Sequence, residues 1–200
     1  MHFFFELLTV AFTALTGWHA WRLRGGDGLW LFSSLLVLGT LRENFVALAQ
    51  WLYGFAPLRL RAGAAPMIAA VVWAFSIYAA LCWVEEVSGE QWRVAGWRPT
   101  WRFFVLVAIF MMALACLYEP FLALIRMARW EEGTWKMGGV PVIALVGYPS
   151  LAVAFLAAFA ALGRRLRRGG PLLAGLAVMV PLLAFAHAWG LQALKRALGW

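Results

Sequence analysis

The sequence predicts an all-α, polytopic transmembrane helical bundle of about six helices with an internal repeat of a helix pair. Three observations carry that prediction. Of 200 residues, 64% are hydrophobic and only 13% charged, with a mean hydropathy of +0.80, a balance outside the range of soluble domains. Several apolar runs reach the ~20 residues that span a bilayer as a helix. Two segments then read alike: GAAPMIAAVVW (63–73) and GGVPVIALVGY (138–148) match Gly, Pro, Ile, Ala and Val in register at an offset of 75. Each follows a long apolar run that contains a glutamate, Glu43 or Glu119. Recurrence of a helix pair is the mark of an internal repeat. The chain therefore reads as one transmembrane domain, 1–200, with repeat units of about 29–84 and 101–162.

In order, the first helix is expected over 2–21, with Glu6 near its start and His19 between Trp18 and Trp21 in an aromatic belt. Its length and the lack of a basic segment before it point to a retained helix rather than a cleaved signal. A polar turn, 22–28, leads to a second helix over 29–55. Arg42, Glu43 and Asn44 fall at its centre. Three successive side chains cover about 200° of a helix, so they cannot share one partner. A loop over 56–63 carries Pro57, Arg59 and Arg61, and a third helix runs over 65–84 with Trp73 and Tyr78 inside it. Glu85 and Glu86 end it at the interface, and the arginine- and Trp-rich 88–100 segment suits the headgroup level.

The fourth helix is expected over 101–127, with Glu119 and Pro120 in its C-terminal half. Proline removes a backbone donor and kinks a helix, and a kink beside an acid opens space for substrate or water. Arg126, seven residues on, shares that face and offers a structural alternative as an ion-pair partner of Glu119. The fifth helix spans 140–162 and is followed by the strongest basic cluster, Arg164, Arg165, Arg167 and Arg168. The sixth spans 171–191 with Pro181 and His187 inside, and Lys195 and Arg196 follow. Loops 22–28, 88–100 and 163–169, with Arg102 just after the second, hold nine Lys/Arg against seven on the other side, so the positive-inside rule makes the first set cytoplasmic. Both Gly-x-x-Pro segments and the 128–137 loop then share the opposite face.

The net charge of +8 does not signal nucleic acid, because the basic residues flank apolar runs where they meet anionic membrane lipid. Cys82 and Cys116 lie inside apolar runs without metal-ligand spacing and read as packing residues. No P-loop, GxSxG, HExxH or DxxxD pair is present, so neither metal nor other cofactor is expected. What remains inside the membrane is Glu43, Glu119, Arg42, Asn44 and His187 among many aromatic rings. Intramembrane ionisable residues are functional candidates by default. A carboxyl group in a low-dielectric site holds its proton more tightly than in water, and aromatic faces stabilise cations. That toolkit suits protonation of a lipophilic alkene, followed by water capture or by proton loss.

Glu119-Pro120, then Trp130, then Gly139-Val140-Pro141 and Gly147-Tyr148, together with Glu43, Tyr53-Gly54, Pro66 and Trp73, resemble the signatures of the carotenoid biosynthesis protein family that includes the bisanhydrobacterioruberin and carotenoid 1,2-hydratases. The resemblance covers about 38–150. Tyr148 stands where the family carries Trp, and 142–146 lacks its Asn. The resemblance implies a cofactor-free membrane enzyme that adds water to the terminal double bond of an acyclic carotenoid, a polyene isoprenoid, in a cell membrane such as the bacterial inner membrane. Association with other carotenoid enzymes would accompany that role. On chemical grounds Glu119 is then the general acid and Glu43 positions water or relays a second proton. Arg42 and Asn44 hold the two acids, and Trp73, Trp130, Tyr148 and His187 complete the substrate site. Pro66, Pro120, Gly139 and Pro141 are structural. His187 reads first as a group that bonds a neighbouring carbonyl, with a proton carrier as the alternative. Two other classes stay open: a small membrane carrier or assembly subunit that binds a proton or cation on the glutamates, and a purely structural partner with Arg42 and Arg126 neutralising them.

Overall fold

The computed structural model describes residues 2–49, 52–55, 58–93, 96–126, 128–166 and 169–199. Pro57, Arg167, Arg168 and Met127, the expected end of the fourth helix, lie outside the described residues. Among those described are five helices, each long and apolar enough to cross a membrane: α1 (His2–Leu48), α2 (Met67–Ser88), α3 (Trp101–Leu124), α4 (Val142–Arg165) and α5 (Gly170–Ala197).

The expected count of six is corrected to five because the first two predicted helices form one element. No loop separates them; the predicted turn at 22–28 is helical on both sides of Gly25, which alone leaves helical geometry at φ 55°, ψ −136°. Positive φ is open to glycine at no steric cost. A straight helix of 47 residues would run about 70 Å, twice the thickness of the hydrocarbon core. Instead the arms 2–24 and 26–48 lie antiparallel. A Cβ on Gly28 would meet the Ala20 carbonyl oxygen at 2.0 Å, and one on Gly17 would meet the Phe32 ring at 3.3 Å.

Helix ends follow local chemistry. Gly89, in left-handed conformation at φ 72°, donates its N–H to Glu85 O at 2.9 Å and closes α2, which carries the helix past the expected end at 84. Thr100 Oγ1 accepts from the Phe103 N–H at 3.3 Å and caps α3. Pro120 lies within α3, and Pro66 and Pro141 cap α2 and α4 in extended conformation.

Six short strands of two or three residues join the helices of this helical bundle. β1 (Tyr53–Phe55) pairs antiparallel with β4 (Ala128–Trp130), so the second predicted helix ends at Leu48 rather than at 55. β2 (Arg61–Ala62) pairs with β3 (Ala65–Pro66), and β5 (Lys136–Met137) with β6 (Val140–Pro141). These two hairpins have the same register at the sequence offset of 75: Arg61 faces Pro66 and Lys136 faces Pro141. Each is tied to its helix by an equivalent bond of 3.0 Å, Met67 N–H to Leu60 O and Val142 N–H to Trp135 O. Glycine at positive φ makes each turn, Gly63 at 77°, Gly138 at 58° and Gly139 at 83°. The Gly-x-x-Pro motifs therefore build turns that precede α2 and α4, and the helices begin at Met67 and Val142 rather than at 65 and 140.

The bundle has two distinct ends. At one, Arg24 pairs with Glu85 at 2.7 Å, the Trp92 N–H donates to Glu85 at 2.8 Å, and Arg164 reaches the Trp97 carbonyl at 3.3 Å. At the other, Glu6 accepts the N–H groups of Arg59 and Leu60 at 2.6 and 2.9 Å, β1 pairs with β4, and buried Lys195 of α5 pairs with Glu131. Between them runs one apolar core that includes Leu35, Ile77, Leu81, Met111, Leu151 and Phe155. α3 turns the apolar side chains of Leu117 and Leu124 outward.

The second arm of α1 meets α2 at Gly39, where a Cβ would lie 2.7 Å from the Ala70 carbonyl oxygen and 3.0 Å from Trp73 Cβ. Gly39→Leu is predicted to cost about 1–3 kcal/mol by overpacking and to lower the Tm of the detergent-solubilised protein by roughly 5 °C. Gly190→Ala, in open space, is predicted to leave it unchanged or to raise it. Equal melting of the two variants would contradict the close approach.

Candidate functional site

Two glutamates are buried where the hairpin end of the bundle meets its helical core: Glu43, 1% exposed, on the second arm of α1, and Glu119, 5% exposed, on α3. A carboxylate withdrawn from water this far needs donors on its oxygens. Glu43 takes them from three side chains. Tyr53 Oη donates at 2.9 and 2.8 Å to its two oxygens, and Trp73 Nε1 and Arg42 Nη1 both donate to Oε1. Arg42 also donates to Tyr53 Oη, and its guanidinium carbon lies 5.4 Å from the Tyr53 ring centre and 5.1 Å from that of Trp73. Burial pushes the Tyr53 phenol well above its ordinary pKa, so it stays protonated and donates.

Glu119 has the same two kinds of neutral donor. Trp130 Nε1 donates to Oε2 at 2.6 Å and Tyr148 Oη to Oε1 at 3.0 Å. The donors of one acid pack against the donors of the other. Trp73 and Tyr148, which correspond at the offset of 75, lie with ring centres 4.7 Å apart, and the cross-strand partners Tyr53 and Trp130 also lie 4.7 Å apart. Two ring pairs thus lock both carboxylates into one assembly. Charge separates them: Glu43 is paired with a cation, whereas the bonds described for Glu119 come from neutral groups.

Both acids open onto a cavity of about 430 Å³, within the range of small-molecule sites. Its walls are almost wholly apolar. Phe4, Leu8 and Phe12 come from the first arm of α1, Val72 and Phe75 from α2, and Leu122 from α3. Phe12 and Phe75 touch edge to face at 5.4 Å. Phe4, Phe12 and Phe121 are 59%, 44% and 50% exposed, so the opening lies between α1 and α3 on an apolar flank of the bundle. Thr9 also lines it.

The structure brings Glu43, Glu119, Trp73, Trp130 and Tyr148 to this cavity, with Arg42 behind Glu43. It takes Asn44 elsewhere. Asn44 Oδ1 accepts from the Ala64 N–H at 2.6 Å and its amide donates to Ala62 O at 2.6 Å, so it clamps the β2–β3 turn. His187 lies behind Tyr148, with Nε2 3.0 Å from the Gly147 carbonyl oxygen and 3.2 Å from Ser150 Oγ. Pro66 and Pro141 end the hairpins, Gly139 makes one turn, and Pro120 follows Glu119 within α3. Arg126 stands beyond the end of α3, exposed and in left-handed conformation at φ 56°, off the helical face on which an ion pair with Glu119 was considered.

Tyr53 stands in the sequence only as part of a motif, without a site role, and the structure makes it a donor to Glu43. Its segment reads as the tail of an apolar helix, and only the β1–β4 register sets it beside Trp130. No metal-binding group of His, Cys, Asp or Glu occurs among the described residues. No protein-family model, no curated protein and no solved structure matches the chain.

Two predictions separate the clamp from the acid pair. Asn44→Ala leaves the Ala64 N–H without its acceptor and is predicted to cost about 1–3 kcal/mol, read as a lower Tm. Arg42→Met leaves Glu43 as a buried, uncompensated charge and is predicted to cost about 3–5 kcal/mol. Adding Glu43→Gln to Arg42→Met is predicted to recover part of that loss. A double variant as unstable as the sum of the single ones would show that the pair is not energetically coupled.

Proposed function

We propose that this chain is a cofactor-independent membrane enzyme that adds water to a terminal carbon–carbon double bond of an acyclic polyene of the carotenoid class. The observation that carries this reading is the apolar, aromatic-lined cavity that opens on the bundle's flank and ends on two carboxylates. A lipophilic chain enters from the bilayer, its end occupies the cavity, and the rest stays in lipid. A carrier for a proton or cation would need a polar path to water beside the acids, and the apolar walls favour the enzyme.

In this mechanism the Glu119 carboxyl gives its proton to the less substituted alkene carbon. The π electrons form the new C–H bond and leave a tertiary cation. The rings of Trp73, Tyr148, Tyr53 and Trp130 stand around that carbon, where aromatic faces attract positive charge. The Glu43 side chain, ion-paired with Arg42, adds a preorganised polar group in a low-dielectric site, where such groups act most strongly. Water then forms the C–O bond and returns a proton to Glu119. The net change is addition of H and OH across the double bond, with no oxidant or reductant.

The resemblance of the Glu119-Pro120, Trp130 and Gly139-Val140-Pro141 series to carotenoid hydratases supports the same substrate class. The arginine-rich end, with Arg22, Arg24, Arg93, Arg98, Arg164 and Arg165, supports a cytoplasmic placement of that end in a cell membrane such as the bacterial inner membrane. The two acids then lie toward the opposite face.

Expression in a bacterium that accumulates lycopene tests the reading. The wild-type protein is predicted to yield pigment heavier by one or two waters. Glu119→Gln is predicted to lower that yield by about 100-fold or more, the scale of a general-acid contribution. Unchanged lycopene in the presence of well-expressed, folded protein would remove the proposed substrate.

A further inference from the structure

A second space, far smaller, adjoins Glu119. Its free volume of about 10 Å³ takes the centre of a single water. Arg42, Tyr53, Trp73, Glu119, Trp130 and Tyr148 wall it, and Ala144 closes it from α4. Glu119 and the four rings therefore border both compartments, the apolar cavity and this cell.

Arg42 is 2% exposed and spends Nη1 on Glu43 and Tyr53. Its Nε–H is buried and has no acceptor among the described residues. A charged donor left unmade in the interior is costly, and a water is held in a protein by about three such bonds. We propose that this cell is the site of one ordered water, which accepts from Arg42 Nε–H and donates to Glu119 and to Tyr148 Oη. Tyr148 has an acceptor lone pair to offer because its own proton goes to Glu119.

The chemical role of this water rests on the hydration reading above. It is the nucleophile, delivered beside the acid rather than drawn through the apolar cavity. Protonation of the alkene leaves Glu119 ionised. The water oxygen then bonds to the tertiary carbon while its proton moves to Glu119 and restores the acid. Arg42 is a positioning residue: it holds the water and never meets the polyene. Without the water, the cation loses a proton instead, and the product is an isomer of the substrate.

Two variants of the full-length protein and two readouts test this. Ala144→Val fills the cell. Arg42→Lys keeps a cation for Glu43 but has no Nε–H. A high-resolution crystal structure of the wild type is expected to contain a water within hydrogen-bond distance of Arg42 Nε and Glu119, and that of Ala144→Val to lack it. In the lycopene-accumulating host, both variants are expected to keep consuming lycopene while the ratio of hydrate to isomer falls about tenfold, equivalent to about 1.4 kcal/mol. A dry cell in the wild type, or folded variants that hydrate with the wild-type ratio, overturns the proposal. If the wild type transforms no polyene, the hydration reading fails by itself; density for the water then still supports the site, and its absence overturns it.

Discussion

Two carboxylates are buried in an apolar bundle, and the rest of the site follows from the hydrogen bonds that satisfy them. Each takes one indole N–H and one phenol O–H, Glu43 from Trp73 and Tyr53 and Glu119 from Trp130 and Tyr148. A buried acid without such donors is prohibitive, so these four rings cannot move independently of the acids they serve. The rings pack in two pairs that cross from one acid to the other. Displacing either carboxylate therefore disturbs the ligands of both. Arg42 adds a cation to the assembly and fixes the asymmetry between an ion-paired glutamate and one served, among the described residues, by neutral donors.

The backbone places the rings through two small devices. The β2–β3 and β5–β6 hairpins share a register and set the starting points of α2 and α4. Those helices then present Trp73 and Tyr148 at equal distances from their first turns. The β1–β4 ladder joins the two halves directly and fixes Tyr53 against Trp130. Asn44, next to Glu43 in sequence, bonds the turn that opens α2. The same short polar stretch thus supplies the acid, its counter-ion and a clamp on the helix that donates to it.

Function would follow from the contrast between the compartments that meet at Glu119. On the proposed reading, the larger one is apolar, opens toward lipid and suits the end of a hydrocarbon chain. The smaller carries Arg42, Glu119 and two phenols in its walls and is sized for a single water. Separation of this kind lets a site that excludes bulk water still deliver one molecule of it, and a cation formed there meets aromatic faces and one nucleophile.

By itself the sequence determined what periodicity and composition can encode: a helical bundle with helices suited to a membrane, the burial of Glu43 and Glu119, and a motif recurring at an offset of 75. These are local properties, because an apolar run and a Gly-x-x-Pro turn act wherever they stand in the chain. Tertiary structure alone decided that the polar turn at 22–28 stays helical on both sides of Gly25, because a glycine-rich turn reverses a chain either as a loop or at a single residue and only the packing of the two arms selects between them. It alone decided that Tyr53 belongs to a strand, because three-residue strands exist only through their partners, here β4. It sent Asn44 to a turn and His187 behind Tyr148, although all these polar groups share the same apolar surroundings in sequence. Side-chain direction depends on which helix arrives opposite, and only packing of the two halves against each other supplies that.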